Sequence, residues 1–144
     1  MNIYSVGKWA AIIQRYTHQY IDKRFNHFGL GNTEVLVLLT LYDQENVPQE
    51  YITRQIVMDK ATITRAIKRL EEKGYLYRKE SVLDRREKIV FLTEAAWKIE
   101  EEISEAMREW TDIMTKEFTA EEKQTLLRLM EKAADGARAE VEPR

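Results

Sequence analysis

A basic amphipathic segment that ends at a glycine is the feature that most constrains this 144-residue chain. Beyond Asp59, the residues Ile63, Ile67 and Leu70 recur at i, i+4 and i+7, which predicts a helix with one apolar face. Gly74 suits the left-handed conformation that commonly ends a helix. The pattern therefore predicts a helix that packs on a core along one face and exposes its other faces to solvent.

The outward sides of this helix carry residues suited to DNA. Thr62, Thr64 and Arg65 are short hydroxyl donors and a long guanidinium, which are residue types that read base edges in the major groove. Lys68 and Arg69 lie one turn further on, where side chains more often meet phosphate than bases. An isolated helix with such a face would more often be simply solvated, so the flanking segments decide the interpretation.

The preceding segment predicts a helix-turn-helix. Residues 48–58 form a short helix with Ile52 and Ile56 at i and i+4, and Asp59 and Lys60 make the turn into the next helix. Two helices joined by so tight a turn are the unit whose second helix reads DNA.

The following segment predicts a charged hairpin, or wing. Residues 75–77 and 89–92 are rich in β-branched and aromatic side chains, as strands are, and residues 79–88 between them are polar. Arg86 is predicted to enter the minor groove, where narrow A·T tracts attract arginine. Arg85 is assigned to phosphate, and Asp84 is expected to hold the tip by pairing with a nearby arginine.

The charge distribution supports binding to nucleic acid, although the net charge of −2 does not. Residues 53–88 contain eleven Lys or Arg and six Asp or Glu, and the remainder contains 12 basic and 19 acidic residues. A basic reading surface on an acidic body confines phosphate attraction to the face that docks. The alternative is a charge-segregated protein without a nucleic-acid role.

The spacing of these residues resembles the MarR family of bacterial and archaeal transcription regulators, over nearly the whole chain. The run begins at Arg65, passes through Arg69-Leu70-Glu71 and Gly74 to Arg78, and continues with Asp84-Arg85-Arg86 and Leu92-Thr93. One departure is Ala96, where family members often have glycine. The resemblance implies a homodimer in which the first and last helices intertwine with those of a second copy.

The remaining segments are predicted to be helical. Residues 3–28 have one apolar face, residues 33–42 are almost entirely apolar and expected to be buried, and Thr93 is the expected N-cap of one long helix. A capping box at Thr119 to Glu122 opens a last helix. The apolar residues of the first helix are Val6, Trp9, Ala10, Ile13, Tyr16 and Tyr20; those of the long helix are Ala96, Ile99, Ile103, Met107, Trp110 and Met114; those of the last are Leu126, Leu127, Leu129, Met130 and Ala133.

The predicted fold is therefore mainly α with a small β-hairpin wing (α+β), a winged helix-turn-helix with N- and C-terminal dimerisation helices. Residues 1–144 form a single domain, in which 30–93 are the DNA-binding head and 1–28 and 94–140 the dimerisation helices. Each apolar face could instead serve only the core of its own chain.

Other classes of protein find little support. The chain has no cysteine, which excludes disulfides, zinc–thiolate sites and cysteine-based peroxide sensing. His18 and His27 are nine residues apart, not the four that place a metal-binding pair on one helical face. No metal, cofactor or catalytic residue is therefore predicted, and a metal-dependent enzyme lacks a ligand cluster. Without a long apolar run or a signal peptide, a soluble, cytoplasmic protein is expected.

The predicted function is sequence-specific binding to double-stranded DNA, as a homodimeric regulator and most simply a repressor. Half-sites of a pseudo-palindromic operator would lie about 10–10.5 base pairs apart. The alternative is a winged-helix protein-interaction module. The resemblance also implies release by a small aromatic acid, for which the first helix offers Arg15, Tyr16, His18 and Tyr20, with Trp9 one face away; a cation beside aromatic rings suits such an anion.

Overall fold

The computed structural model describes residues 5–142, which form seven helices, a short 3₁₀ turn and three strands. The predicted class, mainly α with a small β wing, is confirmed. Among the described residues, no helix is long and apolar enough to cross a membrane. In chain order the elements are α1 Val6–Phe25, a 3₁₀ turn Asn26–Phe28, α2 Asn32–Asp43, β1 Val47–Pro48, α3 Gln49–Ile56, α4 Lys60–Glu72, β2 Leu76–Glu80, β3 Lys88–Leu92, α5 Glu94–Lys98, α6 Glu100–Met114 and α7 Ala120–Val141.

The chain divides between Arg108 and Glu109 into two compact units, and the first contains one continuous core. The predicted buried helix is α2, and the apolar stripe of α4 lies in the same core. Burying a large aliphatic or aromatic side chain stabilises a fold by about 1.5–3 kcal/mol, so these contacts hold α2 and α4 together. The largest fully buried side chains are Phe25, Ile21, Leu30, Leu38, Leu41, Ile52, Ile63, Ile67, Leu70, Leu76, Ile103 and Val35.

The sheet has the order β1-β3-β2, and both pairs are antiparallel. The hairpin was predicted, but β1 was not. Pro48 was assigned to a helix, whereas it pairs with Ile89 and has an extended backbone with φ −61° and ψ 149°. A proline at the edge of a sheet needs no donor for the ladder, and its fixed φ suits the residue that precedes a helix.

The turn between α3 and α4 lies one to two residues earlier than predicted. Val57, Met58 and Asp59 form it, and Lys60 is already the first residue of α4. Val57 has a left-handed backbone with φ +57°, and its amide donates to the carbonyl of Thr53 over 3.2 Å. A β-branched residue rarely adopts this conformation, so the turn stores strain on the order of 1–3 kcal/mol.

Replacing Val57 with glycine is expected to stabilise the protein by about 1 kcal/mol, because glycine adopts positive φ without steric penalty. The side chain is 64% exposed, so little packing is lost. Urea denaturation would measure the change, with Val82→Gly as the control since Val82 is an exposed valine without positive φ. A loss of stability equal to that of the control would contradict strain at Val57.

Helix α1 is shorter than the predicted 3–28 segment, whose first residues lie outside the described part of the chain. The helix ends at Phe25, and Asn26–Phe28 continue as a 3₁₀ turn closed by Gly29 with φ +68°. Most of its predicted apolar face is exposed: Trp9 is 45% and Tyr16 56% accessible. Within the described residues, the intrachain core therefore covers only the C-terminal end of this face.

The predicted long helix after Thr93 is interrupted, so this part of the prediction was wrong. The Thr93 hydroxyl accepts from the amide of Ala96 over 3.3 Å, which confirms the N-cap. At Ile99, however, the backbone leaves the helical region with φ −102° and ψ 1°, and its amide donates to the carbonyl of Ala96. The chain therefore forms α5 and α6 as two separate helices.

The second unit contains the end of α6, a turn and α7. The predicted capping box is confirmed: the Glu122 amide donates to the Thr119 hydroxyl over 3.1 Å, and the Thr119 amide to the Glu122 carboxylate over 2.9 Å. The bond from the backbone amide of Thr119 to the carboxylate holds the pKa of Glu122 below its ordinary value. None of the described residues of α7 is buried. Most of its predicted apolar face is exposed within the described residues: Leu127 is 50% and Leu129 48% accessible.

Candidate nucleic-acid interface

The orientation of α4 is set by its cap and its buried stripe. The Asp59 carboxylate accepts from the amide of Thr62 over 2.9 Å and from its hydroxyl over 2.6 Å. These two bonds lower the pKa of Asp59. Ile63, Ala66, Ile67 and Leu70 are fully buried, so the opposite side of α4 is presented to solvent.

Two predicted DNA-binding cations, Arg65 and Lys68, lie on this outward side and are exposed. One guanidinium nitrogen of Arg65 lies 3.3 Å from the hydroxyl of Thr62, which leaves its other donors available. The Lys68 ammonium makes no ion pair within residues 5–142. The exposed side of α4 thus carries the planar guanidinium of Arg65 and the ammonium of Lys68.

The two threonines are engaged inside the protein. Thr62 donates to Asp59, and the Thr64 hydroxyl donates to the Lys60 carbonyl over 2.8 Å while accepting from the side-chain Nε2 of Gln49 over 2.9 Å. Thr64 therefore helps to join α3 to α4, and its hydroxyl hydrogen already has a partner. The sequence pattern could not reveal this role, because Gln49 lies 15 residues earlier.

Arg69, which was predicted to contact phosphate, is paired with a carboxylate of the first unit. Its Nε donates to Glu34 over 2.7 Å, and the Lys73 ammonium approaches the other oxygen of Glu34 to 3.0 Å. Lys73 also donates to the carbonyl of Gly29, and Glu34 accepts from the amide of Gly31 over 3.1 Å. This cluster ties the N-terminus of α2 to the C-terminal end of α4.

Glu34→Gln is expected to destabilise the protein by about 1–3 kcal/mol at neutral pH, because it weakens charge-assisted bonds to a buried carboxylate. Burial raises the pKa of Glu34, but the bonds from Lys73, Arg69 and Gly31 outweigh it, so the pKa lies below the ordinary 4.5. A lowered folded-state pKa means that this stability is present above the ordinary value and is lost as pH falls through the lowered one.

Unfolding by urea across pH 2.5–7 would measure this dependence, with Glu72→Gln as a matched control on the exposed side of α4. The wild type and the Glu34 variant should converge at the acidic end, where the native carboxyl is itself protonated. A constant difference between them across the whole range would show that Glu34 contributes through packing and not through charge.

The wing tip is held by backbone bonds, which corrects the role predicted for Asp84. Its carboxylate accepts from the backbone amide of Arg86 over 2.9 Å, and its carbonyl from the amide of Glu87 over 3.0 Å. The described ion pairs of the chain include no arginine partner for Asp84. Asp84 therefore shapes the tip as a turn residue, as short acidic side chains often do. The side chains of Arg85 and Arg86 are exposed.

A cleft of about 560 Å³ separates the wing tip from the start of α3 and α4. Its basic residues are Arg54, Lys60, Arg86 and Lys88, and its acidic ones are Glu50, Asp84 and Glu87. Arg54 is paired with Glu50 over 2.8 Å, whereas Lys60 makes no ion pair among the described residues. Sequence reasoning did not assign Arg54, Lys60 or Lys88 to the site, because their proximity to the wing depends on the tertiary fold.

Arg78 connects the wing to the two helices beside it. From β2, its guanidinium makes two bonds to the Glu71 carboxylate of α4, over 3.2 Å and 3.1 Å. A third nitrogen lies 3.5 Å from the side-chain oxygen of Gln49, at the start of α3. The bond from Arg78 lowers the pKa of Glu71. This bidentate pair, called the Arg78 bridge below, fixes the wing relative to α4.

Comparisons with known proteins agree with this geometry. The sequence profile of the MarR family matches residues 30–88. The HTH-type transcriptional regulator YwoH of Bacillus subtilis is 31% identical over 127 residues, which are 88% of this chain and 89% of that protein. The solved structure of a MarR transcriptional regulator from Methanosarcina mazei is 30% identical, with a TM-score of 0.88, over 92% of this chain and 95% of that one.

The chain belongs to the MarR family. It is a DNA-binding transcriptional regulator of the winged-helix type, as the sequence predicted. The family consists of transcriptional regulators, not enzymes. The MgrA regulator of Staphylococcus aureus is 30% identical over 87 residues, 60% of this chain and 59% of that protein.

One departure from the MarR pattern, Ala96, lies in the core and not at the interface. It is fully buried, and its carbonyl accepts from the hydroxyl of Tyr42 over 2.6 Å. The Tyr42 ring also lies 5.3 Å from that of Trp97. Alanine at this position therefore belongs to the contact between α5 and α2.

The four residues predicted to bind an effector of this MarR protein do not converge on one side of α1. Tyr16 and Tyr20 lie one turn apart, whereas His18 is about 200° around the helix from Tyr16. His18 is 3.1 Å from Asp22, whose other carboxylate oxygen accepts from the amide of Asn32 over 2.8 Å. Arg15 and Tyr16 are exposed, and Tyr20 is half-buried. One small ligand beside a single protomer can reach only part of this set.

Proposed function

We propose that this protein binds a pseudo-palindromic operator as a homodimer and represses transcription there. The observation that carries the proposal is the arrangement of Arg65 and Lys68 on the exposed side of a helix that lies beside a charged wing tip and a cleft lined by four basic and three acidic residues. In this arrangement α4 would enter the major groove and the wing would reach the adjacent minor groove. The phosphate backbone between the two grooves would pass through the cleft.

The proposed roles of the residues follow from their free donors. Arg65 reads a base, since a guanidinium can bond O6 and N7 of guanine together. Lys68 contacts phosphate, and Thr62 orients Arg65 through the 3.3 Å contact between them. Thr64 supports α4 from α3, and Arg69 acts mainly through Glu34.

In the wing, Arg86 is proposed to enter the minor groove and Arg85 to contact phosphate, while Asp84 shapes the turn that carries both. Lys60 adds a cation on the α4 side of the cleft. In this proposal Arg65 and Arg86 determine the sequence preference, and the other cations contribute affinity that does not depend on the DNA sequence.

The homodimer is proposed because both ends of the chain expose large apolar side chains. On α1, Val6 is 71% and Tyr16 56% accessible; in the second unit, Ile113 is 55% and Leu127 50% accessible. Exposed apolar patches mark interaction sites on otherwise charged proteins. We assign residues 30–93 to the DNA-binding head and the segments 1–28 and 94–140 to dimerisation.

Release by a small aromatic acid is a further part of the proposal. Such a ligand would place its carboxylate at Arg15 and His18, or its ring at Tyr16 and Tyr20. It would release DNA in proportion to its preference for the state that binds DNA poorly. Calorimetry with salicylate at millimolar concentration would detect binding, and absence of both heat and DNA release would contradict this part.

The test of the main proposal is selection of duplexes from a random pool by the intact protein, followed by footprinting of the selected sequence. Two inverted half-sites about 10–10.5 base pairs apart are expected, because two heads on a two-fold axis meet successive major grooves. A single asymmetric footprint would contradict the dimer, and failure to enrich any sequence would contradict specific binding. Reporter expression with and without the protein would then distinguish repression from activation.

A further inference from the structure

We propose that Leu83 enters the minor groove as an apolar wedge that opens a base step, with Val82 against the adjacent deoxyribose wall. The inference rests on the proposed DNA binding and adds a specificity contact that none of the charged residues supplies. The wing would then deform the DNA in addition to neutralising phosphate charge.

The two residues are the most accessible large apolar side chains of the described chain. Val82 is 102% and Leu83 98% accessible, while the next, Val141 near the end of α7, is 78%. Full exposure means that neither side chain contributes to the core. A hydrophobic pair at the tip of a loop is thus available for a partner.

The backbone of the wing tip that carries them is held by hydrogen bonds. The Ser81 amide donates to the carbonyl of Glu87 over 2.9 Å, which closes the loop, and the Leu83 amide donates to the Ser81 hydroxyl over 3.2 Å. On the other side, Asp84 accepts from the amides of Arg86 and Glu87. These bonds fix the backbone on both sides of Leu83 and hold the two apolar side chains outward.

The charge of the tip identifies DNA as the occupant. Arg85 and Arg86 follow the apolar pair after Asp84, whose carboxylate already accepts from the amide of Arg86, so a partner must accept two cations and two apolar groups in a small space. The minor groove does so, since its floor is electronegative, its walls are sugars, and leucine is among the wedges that unstack bases. A protein partner would need on the order of 800 Å² on each side, which two tip residues cannot provide.

A wedge also predicts which DNA sequence the wing prefers. Opening a base step costs free energy, and pyrimidine–purine steps such as TA and CA are the most easily kinked. The selected operators should therefore contain such a step at the position that the wing reaches. The duplex should bend toward the major groove on binding.

The experiment uses the intact protein and its selected operator, labelled at both ends for energy transfer and with 2-aminopurine at the wing step. Leu83→Ala is expected to weaken binding about tenfold and to reduce the bend. It should also abolish the rise in 2-aminopurine fluorescence that reports unstacking, because unstacking and the contacts that it permits are lost together. Leu83→Met should retain all three, since methionine can also act as a wedge. The slope of log K against log salt should not change, whereas Arg85→Ala should reduce its magnitude by about 0.9.

The outcomes separate this inference from the proposed function. If the wild type selects an operator but Leu83→Ala binds and bends it equally well, the wedge is disproved while DNA binding stands. A loss of affinity with unchanged bend and unchanged 2-aminopurine fluorescence would also overturn the wedge, because Leu83 would then contact only the groove wall. If the wild type enriches no sequence, the proposed function itself fails and the wedge with it.

Discussion

Arg65→Ala is expected to weaken binding to the selected operator by about 1–3 kcal/mol per half-site and to relax the sequence preference at one base pair. The reason is that Arg65 has free guanidinium donors on the exposed side of α4, and bidentate contacts to guanine discriminate between bases. Fluorescence anisotropy with the operator and with a panel of duplexes altered one base pair at a time would measure both effects.

Lys68→Ala is the matched control, since it removes one cation from the same exposed side of α4. It should weaken operator and random DNA by equal factors and reduce the magnitude of the salt slope by about 0.9. If Arg65→Ala produced that same uniform loss, Arg65 would be a phosphate contact and the reading of bases would have to come from another residue.

Ile13→Asp is expected to give a monomer whose operator affinity is lower by a factor of about 10²–10⁴, which is the avidity that linked binding sites lose when they are separated. Ile13 lies on the apolar side of α1 and is 36% accessible. A carboxylate there would be buried without a partner in the dimer, which strongly disfavours association. Analytical ultracentrifugation would measure the assembly, and anisotropy the affinity.

Ala11→Asp provides the comparison, because it adds the same charge two residues earlier, about 200° around α1. Ala11 is exposed, so this variant should remain dimeric and bind the operator as the wild type does. A dimeric Ile13→Asp protein with normal affinity would rule out α1 as part of the dimer interface. Circular dichroism of both variants would exclude unfolding as the cause of any loss.

Local periodicity predicted the parts of this fold that local physics determines. The spacing of Ile63, Ile67 and Leu70 placed α4 and its buried side, because side chains three and four residues apart share one face of a helix. The caps at Thr93 and Thr119 were also confirmed, since they involve only neighbouring residues. The break at Ile99 was missed because the apolar spacing continues through it.

The parts of the site that sequence reasoning missed depend on contacts between distant segments. Arg69 looked like a phosphate ligand, yet its partner Glu34 precedes it by 35 residues. Thr64 looked like a base reader, yet Gln49 bonds to it from α3. Residue type gives the chemistry that a side chain can perform, but long-range pairing decides whether that chemistry is directed outward.

The Arg78 bridge has a consequence for the layout of the operator. Since Glu71 and Gln49 hold the wing beside α4, the major-groove and minor-groove parts of each half-site must be read at one fixed separation. Inserting a single base pair between them would displace one part by about 3.4 Å along the strand and rotate it by about a tenth of a turn. The wing could then no longer reach the shifted minor groove. Each half-site would therefore tolerate base substitutions at single positions better than any change in its length.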